Sequence, residues 1–164
     1  MKKLFTLFAM FTTTLSVNAQ DGKANTVKKT FSRTTTINKT INAEAATIWP
    51  ILTNASDFNK WNSTVVSIQG NIAESEKIAL VSTLDTSRTF KLKVKEFVPN
   101  QKLVWGDAMG ERTFTLQQDG EQTLFTMSEK IGGFMFPLFA GKIPSFDASF
   151  EQFVADLTKE AESK

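Results

Sequence analysis

The 164-residue chain contains no cysteine, no histidine and no tyrosine. The first two absences exclude a thiolate nucleophile, disulfides, a Ser-His-Asp triad and metal sites built on imidazole or thiolate. Chemistry is left to carboxylates, Lys, Arg, Ser, Thr and amides. No spacing of acidic residues suggests a metal site, and no glycine-rich phosphate loop occurs, so we expect neither a metal nor a cofactor. The chain has instead 15 Phe, 3 Trp and 41% apolar residues, enough for the core of one domain.

The N-terminal segment has the organisation of a secretory signal peptide. Lys2 and Lys3 precede an apolar stretch, residues 4–17, and Val17-Asn18-Ala19 places small residues at the positions that a signal peptidase reads. The alternative is a membrane anchor, but the stretch is short and Thr-rich compared with the roughly 20 apolar residues of a span. We therefore expect cleavage after Ala19 and an exported protein, periplasmic or secreted, with no stable membrane span.

Export changes the charge balance. Without Lys2 and Lys3 the 19 basic residues of the chain become 17, equal to its 17 acidic residues. Because binding to phosphate backbones needs an excess of Lys and Arg, a mature net charge of zero argues against nucleic acid as a partner.

The first half of the mature chain is predicted to be a tail, a strand and two short helices. Residues 20–29 are polar without periodicity and are expected to be a flexible tail, and residues 30–41 are Thr-rich and favour a strand. Asn42 is the predicted N-cap of the first helix, which Pro50 should kink or restart. A second short helix should end at Trp61.

The second half alternates as β-strands do and ends in an amphipathic helix. In residues 88–98, Phe90, Leu92 and Val94 share one face and three lysines the other. Asp119-Gly120 predicts a tight hairpin turn. The remaining predicted elements are strands at 65–68, 77–84, 102–109, 111–118 and 121–131, an apolar loop at 134–144 and a helix at 146–161. We therefore expect an α+β domain, residues 30–164, with a curved antiparallel sheet of about seven strands wrapped around the C-terminal helix.

Several short motifs occur in an order that resembles one family. They are Ile41-Asn42-Ala43, Ile48-Trp49-Pro50-Ile51-Leu52-Thr53, Phe58-Asn59-Lys60-Trp61-Asn62, Glu96-Phe97, Leu103-Val104-Trp105, Arg112-Thr113-Phe114-Thr115-Leu116, Gly132-Gly133 and Phe150-Glu151-Gln152-Phe153. Over residues 30–162 the chain resembles the SRPBCC superfamily, the START-related proteins that include the polyketide cyclase/dehydrase and lipid-transport family. The resemblance implies a helix-grip fold with an internal cavity for apolar or amphipathic small molecules. It implies no shared catalytic motif, because one fold hosts many functions.

An acidic residue is predicted on the cavity face of the sheet. Alternation puts Glu129 on the same face as Phe125 and Met127, where an unpaired carboxylate is costly. With Asp119-Gly120 as the turn, Arg112 lies diagonal to Glu129 on the same face, within reach of long side chains. We therefore predict an Arg112–Glu129 ion pair that anchors a polar group of a ligand. The alternative is a structural ion pair near the cavity rim.

Aromatic and aliphatic side chains are the other candidates for ligand binding, and each could instead be a core residue. They are Trp61, Phe90, Leu92, Trp105, Phe114, Phe125, Met127, Phe146, Phe150 and Phe153. Asp107 either joins Arg112 and Glu129 or is exposed. Lys91, Lys93 and Lys95 form a stripe that binds an anionic partner or is merely solvated. The loop 134–139 is either a lid that touches a membrane transiently or a segment packed under the last helix.

Three functions fit the sequence. The first is an exported binder or carrier of a small hydrophobic or amphipathic molecule, lipid- or polyketide-like, with no catalysis. The second is a cyclase/dehydratase-type enzyme in which Glu129 moves a proton and Arg112 stabilises an enolate. The third is an interaction module that uses the lysine stripe or a sheet edge. The poor catalytic inventory favours the first.

Overall fold

The computed structural model describes residues 20–164. The predicted signal peptide, residues 1–19, lies outside the described residues and stays a prediction. The strands are β1 (Asn25–Lys29), β2 (Ser32–Ile41), β3 (Val65–Gly70), β4 (Lys77–Ser82), β5 (Asp85–Val98), β6 (Lys102–Gly106), β7 (Gly110–Asp119) and β8 (Gln122–Gly132). The α-helices are α1 (Ala45–Thr53), α2 (Phe58–Trp61), α3 (Phe136–Phe139) and α4 (Asp147–Ala161), and single 3₁₀ turns lie at Ala55–Asp57 and Ala140–Lys142.

The strands form one curved antiparallel sheet in the order β1-β2-β8-β7-β6-β5-β4-β3. Two short helices follow β2, and the long helix α4 closes the chain, so the predicted α+β class and architecture are confirmed. The sheet has eight strands rather than about seven. Bulges in β3, β4 and β5 interrupt the register, and such irregularities bend and twist a sheet.

The additional strand is β1, which lies in the segment expected to be a flexible tail. That expectation was wrong for residues 25–29, which pair antiparallel with β2. The Thr26 hydroxyl lies 2.7 Å from the Thr35 hydroxyl and donates to Asp147 Oδ1 at 2.5 Å. A polar strand at a sheet edge has no apolar alternation to reveal it, and it is held by bonds to residues far along the chain.

The first helix begins later than predicted. Its N-cap is Glu44 rather than Asn42. The Asn42 backbone N–H and side-chain amide donate instead to Glu162 Oε1, both at 3.0 Å. The Ala45 N–H at the start of α1 donates instead to Gln118 Oε1 at 2.6 Å. The helix does not restart at Pro50 but continues to Thr53. Pro50 is exposed there, so water can satisfy the backbone group left without its helical donor.

The core lies between α4 and the concave face of the sheet. Buried residues of α4 recur at helical spacing and include Phe150, Phe153 and Leu157. The Phe153 ring contacts the rings of Phe58, Trp61, Phe114 and Phe125, with centroids between 5.6 and 6.5 Å apart. Aromatic packing therefore fills much of the space between the helix and strands β7 and β8.

Candidate functional site

A cavity of about 230 Å³ lies beside this core. Its buried lining is mainly apolar and consists of Val65, Leu80, Trp105, Gly106 and Thr64, whose hydroxyl donates to Asn62 Oδ1. The residues nearer the mouth are half-buried or exposed, and the segment that leads into α4 covers one side through Phe139, Ile143, Pro144 and Phe146. An apolar floor with polar groups confined to the wall and mouth is the usual composition of a small-molecule site.

Arg112 and Glu129 form the predicted ion pair in the wall of this cavity. Arg112 Nε donates to Glu129 Oε2 at 2.5 Å, and Arg112 Nη2 contacts the same oxygen. Their side chains are 20% and 17% exposed. The Arg112 guanidinium also lies over the Phe150 ring, 5.2 Å from its centroid. The pair is therefore clamped between the aromatic core and the cavity.

The hairpin turn sets the geometry of this pair. The two turn residues are Gly120 and Glu121, not Asp119 and Gly120, and the positive φ falls on Gly120, at 59°. Arg112 consequently lies directly opposite Glu129 rather than diagonal to it. Moving the turn by one residue shifts the register by two, so every side chain keeps its face. The predicted contact between Arg112 and Glu129 is therefore present, because both side chains were assigned to the correct face of the sheet although the register was wrong.

Six of the twelve predicted ligand-binding residues line the cavity: Phe90, Leu92, Trp105, Arg112, Glu129 and Phe146. The other six, Trp61, Phe114, Phe125, Met127, Phe150 and Phe153, lie outside its lining, contrary to expectation. Five of these are at most 1% exposed, and Trp61 packs against Phe58 and Phe153. Phe150 and Phe153 of α4 pack on the inner faces of β7 and β8 and fill the space there. The cavity lies beside this packing and extends toward β4, β5 and the segment before α4.

Several lining residues were missed from the sequence. Arg88 could have been predicted from alternation, because it lies two residues before Phe90 on the same face of β5. Its guanidinium lies over the Phe90 ring, 4.5 Å from the centroid. Lys142, Ile143 and Pro144 have no periodic pattern that would place them at a cavity.

Arg33 explains the position of that last segment. Its side chain is buried, with the residue 8% exposed, and it donates to the carbonyls of Ile143 at 3.2 Å and Pro144 at 2.7 Å. Its guanidinium also lies 4.7 Å from the centre of the Phe146 ring. One arginine on β2 thus holds the backbone that forms one wall of the cavity.

The structure also shows where Asp107 and the lysines of β5 lie. Asp107 lines the cavity and is half-buried, but its carboxylate accepts from the N–H groups of Met109 and Gly110 at 2.7 and 2.8 Å instead of joining Arg112. Gly106, just before it, allows the close turn, because a Cβ there would collide with the Gly110 carbonyl. Lys91 and Lys93 are exposed on the outer face.

Residues 134–139, expected to be a loop, include the short helix α3 and have one buried and one exposed side. Phe136 is buried and packs edge-on against Phe139, which lines the cavity. Phe134, Met135 and Leu138 point outward and are exposed. The loop is therefore part of the cavity wall on one side and an apolar surface on the other.

Within residues 20–164 no three acidic side chains converge closely enough to hold a metal ion. No helix of the described part of the chain has both the length and the hydropathy needed to cross a bilayer.

Comparison with known proteins identifies the fold. No protein-family model matches the chain, and no curated protein does. Solved structures match with high probability, among them a START superfamily protein from Mycobacterium smegmatis, with a TM-score of 0.58 and 16% identity over 79% of this chain and 97% of that one. The chain shares the fold of these structures, a helix-grip fold.

Two further structures with this helix-grip fold cover most of both chains. Protein MLL2253 from Mesorhizobium loti has a TM-score of 0.63 and 18% identity, covering 80% of this chain and 98% of its own. The solution structure of CalU16 from Micromonospora echinospora has a TM-score of 0.59 and 15% identity, covering 88% and 78%. The likeness at these identities is one of fold.

Proposed function

We propose that the protein binds and carries a small hydrophobic or amphipathic molecule in the cavity between the sheet and the segment before α4. The observation that supports this most is an apolar floor beside a charged pair whose charges already satisfy each other. Such a wall orients a polar group without the cost of an unpaired buried charge. The cavity, about 230 Å³, is slightly below the roughly 300–1,000 Å³ of drug-sized sites, so the ligand is small or extends through the mouth.

The pair offers a defined contact to such a ligand. Both Arg112 donors converge on Glu129 Oε2. Glu129 Oε1 has no hydrogen-bond donor among residues 20–164, so it remains available to a hydroxyl or amide of the ligand. Burial of the apolar part supplies the affinity, at roughly 25 cal/mol for each Å² removed from water.

Native mass spectrometry of the protein purified from its own host tests the proposal. We expect a retained molecule that is released by denaturation. In a Leu92→Trp variant a bulky ring fills the cavity and retention should fall, whereas Leu124→Trp, on the outer face of β8, should leave it unchanged. Retention that is absent from the wild type, or equal in both variants, would rule out binding at this site.

The alternative is a cyclase/dehydratase-type enzyme that uses the same cavity. The feature that favours it is a carboxylate in the cavity wall, which could move a proton at a carbonyl substrate. If so, Glu129→Gln should lower kcat on a candidate substrate by roughly 10²–10⁴-fold. If Glu129→Gln and Arg112→Ala weaken ligand retention but leave every tested turnover unchanged, the carrier function is favoured.

We also propose that the protein is exported. The support is the sequence of residues 1–19 alone: two lysines, an apolar stretch and small residues that end at Ala19. N-terminal sequencing of the protein recovered from its host should begin at Gln20. A chain that retains Met1 or Lys2 would contradict the proposal.

A further inference from the structure

An exposed apolar surface lies beside the cavity. Phe134 is 87% exposed and Leu138 is 73% exposed, which is unusual for side chains of this size. Phe31, in the turn between β1 and β2, stacks on Phe134 with ring centroids 6.4 Å apart. We call the exposed set the apolar rim; its members are Phe31, Met109, Phe134, Met135 and Leu138.

Backbone hydrogen bonds join the three segments that carry the apolar rim. The Gly132 N–H donates to the Met109 carbonyl and the Gly133 N–H to the Phe31 carbonyl, both at 3.0 Å. Met109 also lines the cavity, as does Phe139 beside Leu138. The apolar rim is therefore one surface, and the cavity opens beside it.

The charges next to the apolar rim are predominantly positive. Lys28 and Lys29 end the strand that leads to Phe31, Lys130 comes two residues before Gly132, and Lys142 lines the cavity mouth. None of these four lysines has a carboxylate within ion-pair distance among residues 20–164. The nearby acids are engaged elsewhere, since Glu111 pairs with Lys95 at 3.0 Å and Asp107 accepts from its own turn.

We propose that the apolar rim docks on an anionic lipid membrane, with the cavity mouth facing the bilayer. Exposed aromatic and aliphatic side chains beside lysines are the composition of interfacial membrane-binding surfaces. A second copy of this chain fits less well, because a two-fold contact would bring two copies of the same positively charged surface together. Docking does not depend on a ligand in the cavity, so this proposal and the proposed function can fail separately.

A tryptophan reporter in the full chain tests insertion at the apolar rim itself. In a Phe134→Trp variant, vesicles of phosphatidylglycerol with brominated acyl chains should quench the new fluorescence. The native Trp49, Trp61 and Trp105 are buried or half-buried and supply a constant background. A Leu124→Trp control reports from the outer face of β8 and should not be quenched. Because quenching is local, membrane binding by residues 1–19 cannot imitate it.

Charge variants test the lipid preference. Replacing Lys28 and Lys29 together by Gln should weaken binding to the anionic vesicles about tenfold or more, since each lysine near an anionic surface contributes. The matched replacement of Lys91 and Lys93 on the outer face should change it less than about twofold. Added salt should weaken the wild type in the same way as the first pair of substitutions.

Three results would overturn the proposal. The first is an unquenched probe at position 134 in anionic vesicles. The second is equal quenching by vesicles of phosphatidylcholine alone, which would remove the role of charge. The third is a dimer in sedimentation that a Phe134→Ser substitution dissociates, which would make the apolar rim an interface between copies of the chain.

Discussion

The ion pair in the cavity wall should contribute a measurable coupling energy to stability. Arg112 and Glu129 are 20% and 17% exposed, so the pair lies between two limits. Exposed pairs contribute roughly 0.2–1 kcal/mol, and removing one partner of a buried pair costs about 3–5 kcal/mol. We expect Arg112→Met or Glu129→Gln alone to lower the free energy of unfolding by about 2 kcal/mol.

The double variant isolates the interaction. Removing both charges leaves no unpaired ion, so its cost should be about 1–2 kcal/mol smaller than the sum of the two single costs. Met keeps an apolar stem against Phe150, which preserves most of the contact that Arg112 makes there. Urea unfolding at 25 °C is the assay, and each single variant should move the midpoint by about 1 M at an m-value near 2 kcal/mol per M.

A more exposed pair, which joins β5 to β7 across β6, provides the control. Lys95 and Glu111 lie 3.0 Å apart, but their side chains are 37% and 47% exposed. The cycle of Lys95→Met and Glu111→Gln should give a coupling below about 0.5 kcal/mol. A coupling for Arg112 and Glu129 no larger than that of this control would refute the argument that burial strengthens the cavity pair.

Three further outcomes follow from the structure. Phe153→Ala removes a ring that contacts four others, so it should lower the free energy of unfolding by about 3–5 kcal/mol and the Tm by roughly 10–20 °C, as measured by calorimetry. Gln152→Ala, on the exposed side of α4, should change the Tm by less than about 2 °C. Equal effects of the two substitutions would contradict the assigned core. Arg33→Met should increase hydrogen exchange in residues 143–146 several-fold, because two carbonyls lose their donor, and unchanged exchange would show that Arg33 does not hold this wall. Burial raises the pKa of Asp21, but the hydrogen bonds from Lys39 and a backbone N–H lower it by more, so the net pKa falls below the ordinary 3.8. The stabilising effect of Asp21 is therefore present above that value and is lost as the pH falls through the folded pKa. Asp21→Asn should destabilise by less than about 1 kcal/mol near pH 6, and by less as the pH is lowered below 3.8, as measured by urea unfolding.

Elements with strong local periodicity were predicted correctly. Phe90, Leu92 and Val94 alternate with lysines, and the side chains of α4 recur every three to four residues. In both cases one face must leave water, and the residue spacing alone reveals which one. The strand β1 has no such alternation, and its pairing with β2 depends on bonds such as Thr26 to Asp147, 121 residues away in the chain.

The candidate site was predicted in part for the same reason. Alternation along β8 determines which face Glu129 is on. Its proximity to Arg112 was therefore predicted correctly, although the hairpin register was not. The size of the cavity does not follow from any local pattern, because it depends on how closely α4 approaches each strand. Phe125 in the core and Phe90 at the cavity are the same residue type, and both lie on the inward face of an alternating strand. Only their distance from α4 distinguishes them.

The sequence by itself determined the class of the fold, the inward face of each long strand and the charge pair that faces inward, because these depend on the period of side chains along one element. Tertiary structure alone decided where space remains, through the packing of Phe153 against four rings and through Arg33, which bonds the carbonyls of Ile143 and Pro144. Packing density and long-range hydrogen bonds are properties of several segments together, so no single stretch of the chain encodes them.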